Sequence, residues 1–175
     1  MSNWQTTIEQ GLKKAIGDGF ALRCETNSKG VTTAWCRLQN HQHLMPVATL
    51  LKEMAARLSA ITASLPAQPP PDGAHELAYH FDLDGHTLTV SFVVPRDREM
   101  ESLTPLFGNA DWNEREFAEL YNIKLRGQSN PRRLFIDSSI EPAVLDRLIP
   151  FSSLVNAASS KTLWERILGQ NGAKR

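Results

Sequence analysis

Leu77, Tyr79, Phe81 and Leu83 alternate with Ala78, His80 and Asp82; after Asp84-Gly85, Leu88, Val90, Phe92 and Val94 alternate with Thr87, Thr89 and Ser91. Side chains on a strand point to opposite faces with period two, so this pattern writes a hairpin with one buried and one wet face. Asp-Gly is a favoured pair for a tight hairpin turn. Such a sheet needs a second layer over its apolar face, which predicts a two-layer α+β domain, helices packed on one face of a largely antiparallel or mixed sheet. Pro95 ends the hairpin, and Arg96 to Glu101 reads as a charged loop.

The covering helices are visible upstream. Trp4, Ile8, Leu12, Ala15 and Ile16 recur at helical spacing, predicting a helix from Asn3 to Ile16 ended by Gly17 or Gly19. Phe20 to Glu25 and Val31 to Leu38 flank a glycine-containing turn and read as a second hairpin. From Pro46 a further helix carries Val47, Leu50, Leu51, Met54 and Leu58, with Pro46 tolerated in the first turn. Periodicity alone leaves Ser59 to Leu65 open between helix and strand. Pro66 to Gly73 (PAQPPPDG) reads as a stiff connector within the domain.

With 175 residues the chain has enough length for one domain with a real core. Nineteen basic and nineteen acidic residues cancel, so no global field would hold the chain on nucleic acid or an anionic membrane. No apolar run approaches the roughly 20 residues that span a bilayer, and the first ten residues lack the pattern of a signal peptide. The cytoplasm is therefore expected. Cys24 and Cys36, the two cysteines, cannot alone assemble an ordinary zinc or iron-sulfur site and are expected to be reduced, packed thiols.

Leu103 to Phe135 is the most informative stretch. Asp111 and Glu114 have capping-box spacing, which predicts a short helix starting at Trp112. Phe117, Leu120 and Tyr121 share one apolar face, leaving Glu114, Arg115 and Glu119 around the rest of the turn. Gly127 and Asn130-Pro131 break the chain, after which Arg132 and Arg133 present planar forks suited to carboxylates.

The run ADW-x-ERE-x-x-EL-Y-x-I, then a glycine, then PRRLF, resembles the signature of the thirty-kilodalton subunit family of respiratory complex I and its counterpart in membrane-bound nickel-iron hydrogenases. More loosely, RLSAITASLP (Arg57 to Pro66), Tyr79-His80 and VSFVVPR (Val90 to Arg96) resemble the family's preceding strands, and this likeness assigns Ser59 to Leu65 to a strand. The resemblance covers roughly Phe20 to Phe135. Gln128 departs from it, standing where the family usually has histidine, and the segment after Phe135 lacks the longer proline-rich tail typical of the complex I members.

The resemblance implies a hydrophilic, cofactor-free, non-catalytic subunit of a membrane-associated oxidoreductase. Its partners would be the large subunit of complex I (NADH:quinone oxidoreductase) or of a nickel-iron hydrogenase and other peripheral-arm subunits. It would sit peripherally on the inner face of the cytoplasmic membrane, without inserting in it, and bind no nucleic acid. Trp112, Glu114, Arg115, Glu116, Glu119, Tyr121, Arg132 and Arg133 are the expected docking residues. The short tail points towards the hydrogenase-type complex.

Two rivals come from other classes. His80, Asp82, Asp84 and His86 share sequence parity near one hairpin, an arrangement that can hold a metal for a stand-alone enzyme; alternation and turn chemistry explain the same residues as a solvated face. Lys124, Arg126, Arg132 and Arg133 form a local basic cluster that can touch phosphates, but without the aromatic interleaving of single-strand readers. Glu114, Glu116 and Glu119 have acid-base chemistry or a cation site open to them, against which stand helix-start and docking roles. His41 and His43 read as surface residues. Two units are expected, an α+β domain over 1–137 and a tail over 138–175, with helices at Pro142 to Ile149 and after Ser160, where Leu163, Trp164, Ile167 and Leu168 cluster.

Overall fold

The alternation at 77–94 forms β4 (Glu76–Leu83) and β5 (His86–Val93), with Asp84 and Gly85 both at positive φ, 51° and 77°. Two left-handed turn residues match the twist of the flanking strands, the reason Asp-Gly suits this position. The computed structural model describes residues 3–64, 75–94 and 99–135; the Pro66–Gly73 connector and the expected tail helices lie outside them. The first hairpin is β1 (Phe20–Thr26) and β2 (Thr32–Leu38), and β3 is Arg57–Ser64. The helices are α1 (Asn3–Ile16), α2 (Leu44–Glu53) and α3 (Ala110–Tyr121).

The five strands order as β1-β2-β5-β4-β3, with β2–β5 parallel and every other pairing antiparallel. A mixed sheet under helices is the α+β architecture the patterning required. The strands flanking the proline-rich connector, β3 and β4, are direct neighbours. Ile8 and Leu12 of α1 and Val47, Ala48 and Leu51 of α2 bury completely in one cluster with Leu77, Tyr79, Phe81, Leu88 and Val90. Each leucine, isoleucine, valine or phenylalanine of this set removed from water is worth roughly 1.5–3 kcal/mol. The opposite face is polar: His80 bonds Thr62 (3.1 Å) and Thr89 (3.0 Å), and Arg57 pairs with Asp82.

Several local expectations fail for identifiable reasons. Leu58 does not continue α2; the helix stops at Glu53 because Ala55 turns left-handed (φ 59°). Ala56 N–H then donates to Leu51 O (2.9 Å) and Ala55 N–H to Lys52 O (3.0 Å), the paired closure of a Schellman cap, here without its usual glycine. Leu58 buries from β3 instead. Ala15 is exposed, and His41 and His43 are half-buried. His43 packs so closely on Gly19 that a Cβ there would collide with its ring. Glu99–Glu101, expected in a loop, forms β6, parallel to β7 (Lys124–Arg126).

Cys24 and Cys36 are free thiols; Cys36 is buried, which pushes its thiol up to about 12. No helix among the described residues is long and apolar enough to cross a membrane.

Candidate functional site

The site is the surface around α3, which packs on β3. Its start differs from the capping-box expectation. Leu103 O accepts from both Leu106 N (2.9 Å) and Phe107 N (2.8 Å), and Ala110 N donates to Phe107 O (2.9 Å), so the chain enters already coiled. The helix begins at Ala110 and its N-cap is Asn109, whose side chain caps nothing. Asn109 Nδ2 donates instead to Leu58 O at 2.7 Å, tying the helix start to β3. Asp111, inside the first turn, pairs with Arg115 at 3.0 Å, the i,i+4 geometry.

Glu114 is fully buried, not a decoration of the first turn. Its Oε1 accepts from Leu103 N (2.6 Å), and its Oε2 from Ser102 Oγ (2.5 Å) and Gln128 Nε2 (3.3 Å). One carboxyl thus holds α3, the segment after β6 and the segment after β7. Burial pushes its pKa up to about 7, outweighing the Ser102 and Leu103 hydrogen bonds that favour the anion. Gln128, the departure from the family pattern, is a neutral donor to this carboxyl.

Glu119 is buried too, at 5% exposure. It accepts from Leu134 N (2.7 Å) and Phe135 N (3.2 Å), pinning the chain that follows the Asn130-Pro131 turn. Arg115 Nη1 donates to Arg132 O at 3.1 Å on the same segment. Glu114, Arg115 and Glu119 therefore serve the chain's own loops. Tyr121 lies half-buried against His75, ring centroids 4.4 Å apart.

What faces outward is different. Trp112 and Phe135 are 55% and 59% exposed and meet edge to face at 5.8 Å, forming one apolar patch. Arg132 and Arg133, which precede Phe135 closely in the chain, are exposed and line a cavity of about 210 Å³ together with Ala118 and Leu125. Arg132 Nε donates to Asn130 Oδ1 (3.1 Å). Glu116 is half-buried in a separate hollow with Asn113 and Thr62. Phe135 lies outside the expected docking residues; its signal is a large aromatic shortly after the two arginines that follow the Asn130-Pro131 turn.

The metal-ligand arrangement is not assembled. Register sets Leu83 opposite His86, which turns His86 to the helix-covered face, ring against Trp4 at 4.8 Å, while His80 and Asp82 stay on the polar face. His86 Nδ1 accepts from Thr32 N (2.9 Å), and Asp82 is engaged by Ser59 Oγ (2.7 Å) and Arg57. Among the described residues no group of three histidine, cysteine or acidic side chains is placed to hold a metal ion. The basic cluster is also divided, since Arg126 pairs with Glu99 at 3.0 Å.

Residues 38–151 match the family described as respiratory-chain NADH dehydrogenase, 30 Kd subunit. The chain belongs to that family. Among its relatives is the C subunit of the NADH-quinone oxidoreductase of Mesorhizobium japonicum, 26% identical over 121 residues, covering 65% of this chain and 59% of that protein. The C/D subunit of the NADH-quinone oxidoreductase of Gluconacetobacter diazotrophicus is 32% identical over 136 residues, 71% of this chain but 22% of that one. The chain thus spans less than two thirds of either. Among solved structures, the trypsin-resistant fragment of Nqo5 has a TM-score of 0.50 at 23% identity, covering 70% of this chain and 98% of that one. A membrane-bound sulfane sulfur reductase, an archaeal respiratory membrane complex, contains a chain with TM-score 0.61 at 17% identity, covering 86% and 89%. At these identities the two structures speak for the shared fold.

Proposed function

We propose that this family member is a non-catalytic, hydrophilic subunit of a multisubunit, membrane-associated oxidoreductase of the complex I type, docked on the large subunit. The family match over residues 38–151 carries this reading. The Trp112–Phe135 patch, with Arg132 and Arg133 close to Phe135 in the chain, is the docking surface, because exposed aromatics and arginines are the side chains that anchor protein interfaces. Redox cofactors sit in neighbouring subunits, and this chain orders the large subunit's surface so that electron transfer occurs at fixed geometry. The complex holds it at the inner face of the cytoplasmic membrane. The relatives' names favour a quinone-reducing complex over the hydrogenase type.

Affinity purification of the full chain from native membranes tests the reading. A large oxidoreductase subunit should co-purify, and Trp112→Ala with Phe135→Ala should reduce its yield while the melting temperature of the isolated chain stays within a few degrees. Absence of any such subunit, or redox turnover by the polypeptide alone, overturns it.

A further inference from the structure

The two edges of the five-stranded sheet are treated differently. β3 is blunted: its register is broken between Leu58 and Ala60, α3 packs on it, and Asn109 occupies the Leu58 carbonyl. These are the devices by which proteins prevent further strand pairing. β1 has no proline and no bulge, and runs in unbroken register from Phe20↔Leu38 to Thr26↔Thr32. Among the described residues its only strand neighbour is β2.

Which groups the open edge presents follows from the ladder. Gln39 N–H donates to Gly19 O (3.0 Å) and Asn27 N–H to Val31 O (2.9 Å), so residues 19 and 27 turn their polar groups towards β2. By alternation residues 21, 23 and 25 do the same, and Phe20, Leu22 and Cys24 direct N–H and C=O outward. The side chains of these three residues line a groove whose other wall is Gln5, Glu9 and Lys13 of α1. On the opposite face Arg23 and Glu25 are exposed and pair with each other along the strand, Arg23 also lying over the Trp35 ring.

We infer that β1 is a pairing edge for a second copy of this chain, the two β1 strands meeting antiparallel about a two-fold axis at Cys24. Charge favours this occupant and register, because a two-fold lets the Arg23–Glu25 pair that each strand makes along itself be made between copies as well. A two-fold at Cys24 sets Arg23 opposite Glu25 of the second copy and Glu25 opposite Arg23 of the second copy. Opposed opposite charges stabilise a strand pair, and like charges destabilise it. Shifting the axis to Arg23 opposes two arginines. The chosen register also sets Leu22 beside Thr26 of the second copy and joins both sheets into one, with every outward group of Leu22 and Cys24 satisfied.

Sedimentation of the full chain over a concentration series tests this. The wild type should show a monomer–dimer equilibrium. Leu22→Pro removes an outward donor that β2 does not use and should give monomer. Arg23→Glu should weaken the dimer about tenfold, and adding Glu25→Arg should restore it; this pair keeps the test decisive if the proline variant does not fold. Diamide, taking two electrons and two protons from a thiol pair, should cross-link the dimer through Cys24, whose Cα atoms would lie about 5.5 Å apart. The cross-link should vanish in Cys24→Ser and persist in Cys36→Ser. A monomer at all concentrations, a dimer indifferent to the charge changes, or a monomer whose Cys24 resists alkylation because another segment of the same chain covers the edge, would each overturn the inference.

Discussion

Glu114 accepts the backbone N–H of Leu103 at 2.6 Å, so a side chain in the middle of a helix fixes the loop that leads into that helix. It sits between Ala110 and Phe117 on the buried stripe of α3, a position where an apolar residue would ordinarily pack. A carboxyl there is tolerated because three donors from two other segments converge on it.

Stability should therefore depend on pH through this group. Its pKa is about 7 in the fold against an ordinary value of 4.5, so between these values the folded state binds more protons than the unfolded. The contribution is fully present below pH 4.5 and is lost as pH rises through about 7, a decline on the order of 3 kcal/mol. Denaturant midpoints from pH 4.5 to 8 measure it, and Glu114→Gln should flatten the curve.

Removing Glu119 should release the segment after the turn. Glu119→Ala strips acceptors from Leu134 N–H and Phe135 N–H, with a cost of about 2–3 kcal/mol. Amide exchange at these two residues should accelerate ahead of the core strands. Unchanged protection would show that the segment is held by other contacts.

Ala55→Gly should stabilise the protein by about 0.5–1 kcal/mol. Ala55 is the left-handed residue of the α2 cap, a conformation glycine adopts without the Cβ penalty. Thermal melts of the two proteins decide it, and a loss of stability would mean that unfolded-state entropy outweighs relieved strain.

Cys36 should resist alkylation until the sheet opens. It is buried and its thiol is pushed up to about 12, so little thiolate exists at neutral pH. In dilute protein, Cys36 labelling should track global unfolding across a denaturant series, while Cys24, half-buried, labels first.

The period-two runs and the helical stripes determined the central β4–β5 hairpin, its buried face and the class of fold, because burial on one face leaves a local signature in those strands; β3 alternates imperfectly and was legible only through the likeness to the family. The DWNERE to PRRLF stretch likewise sufficed to point to the family. The tertiary structure alone decided which charged residues are internal. Spacing gave Glu114 a local reason at a helix start, whereas its partners Ser102, Leu103 and Gln128 come from segments whose approach no periodicity encodes. The same holds for His86, turned from His80 by the register of a two-residue hairpin, and for α2, stopped by a left-handed alanine. Local chemistry specifies which elements form; desolvation and register, which depend on what packs opposite, specify what each polar side chain then does.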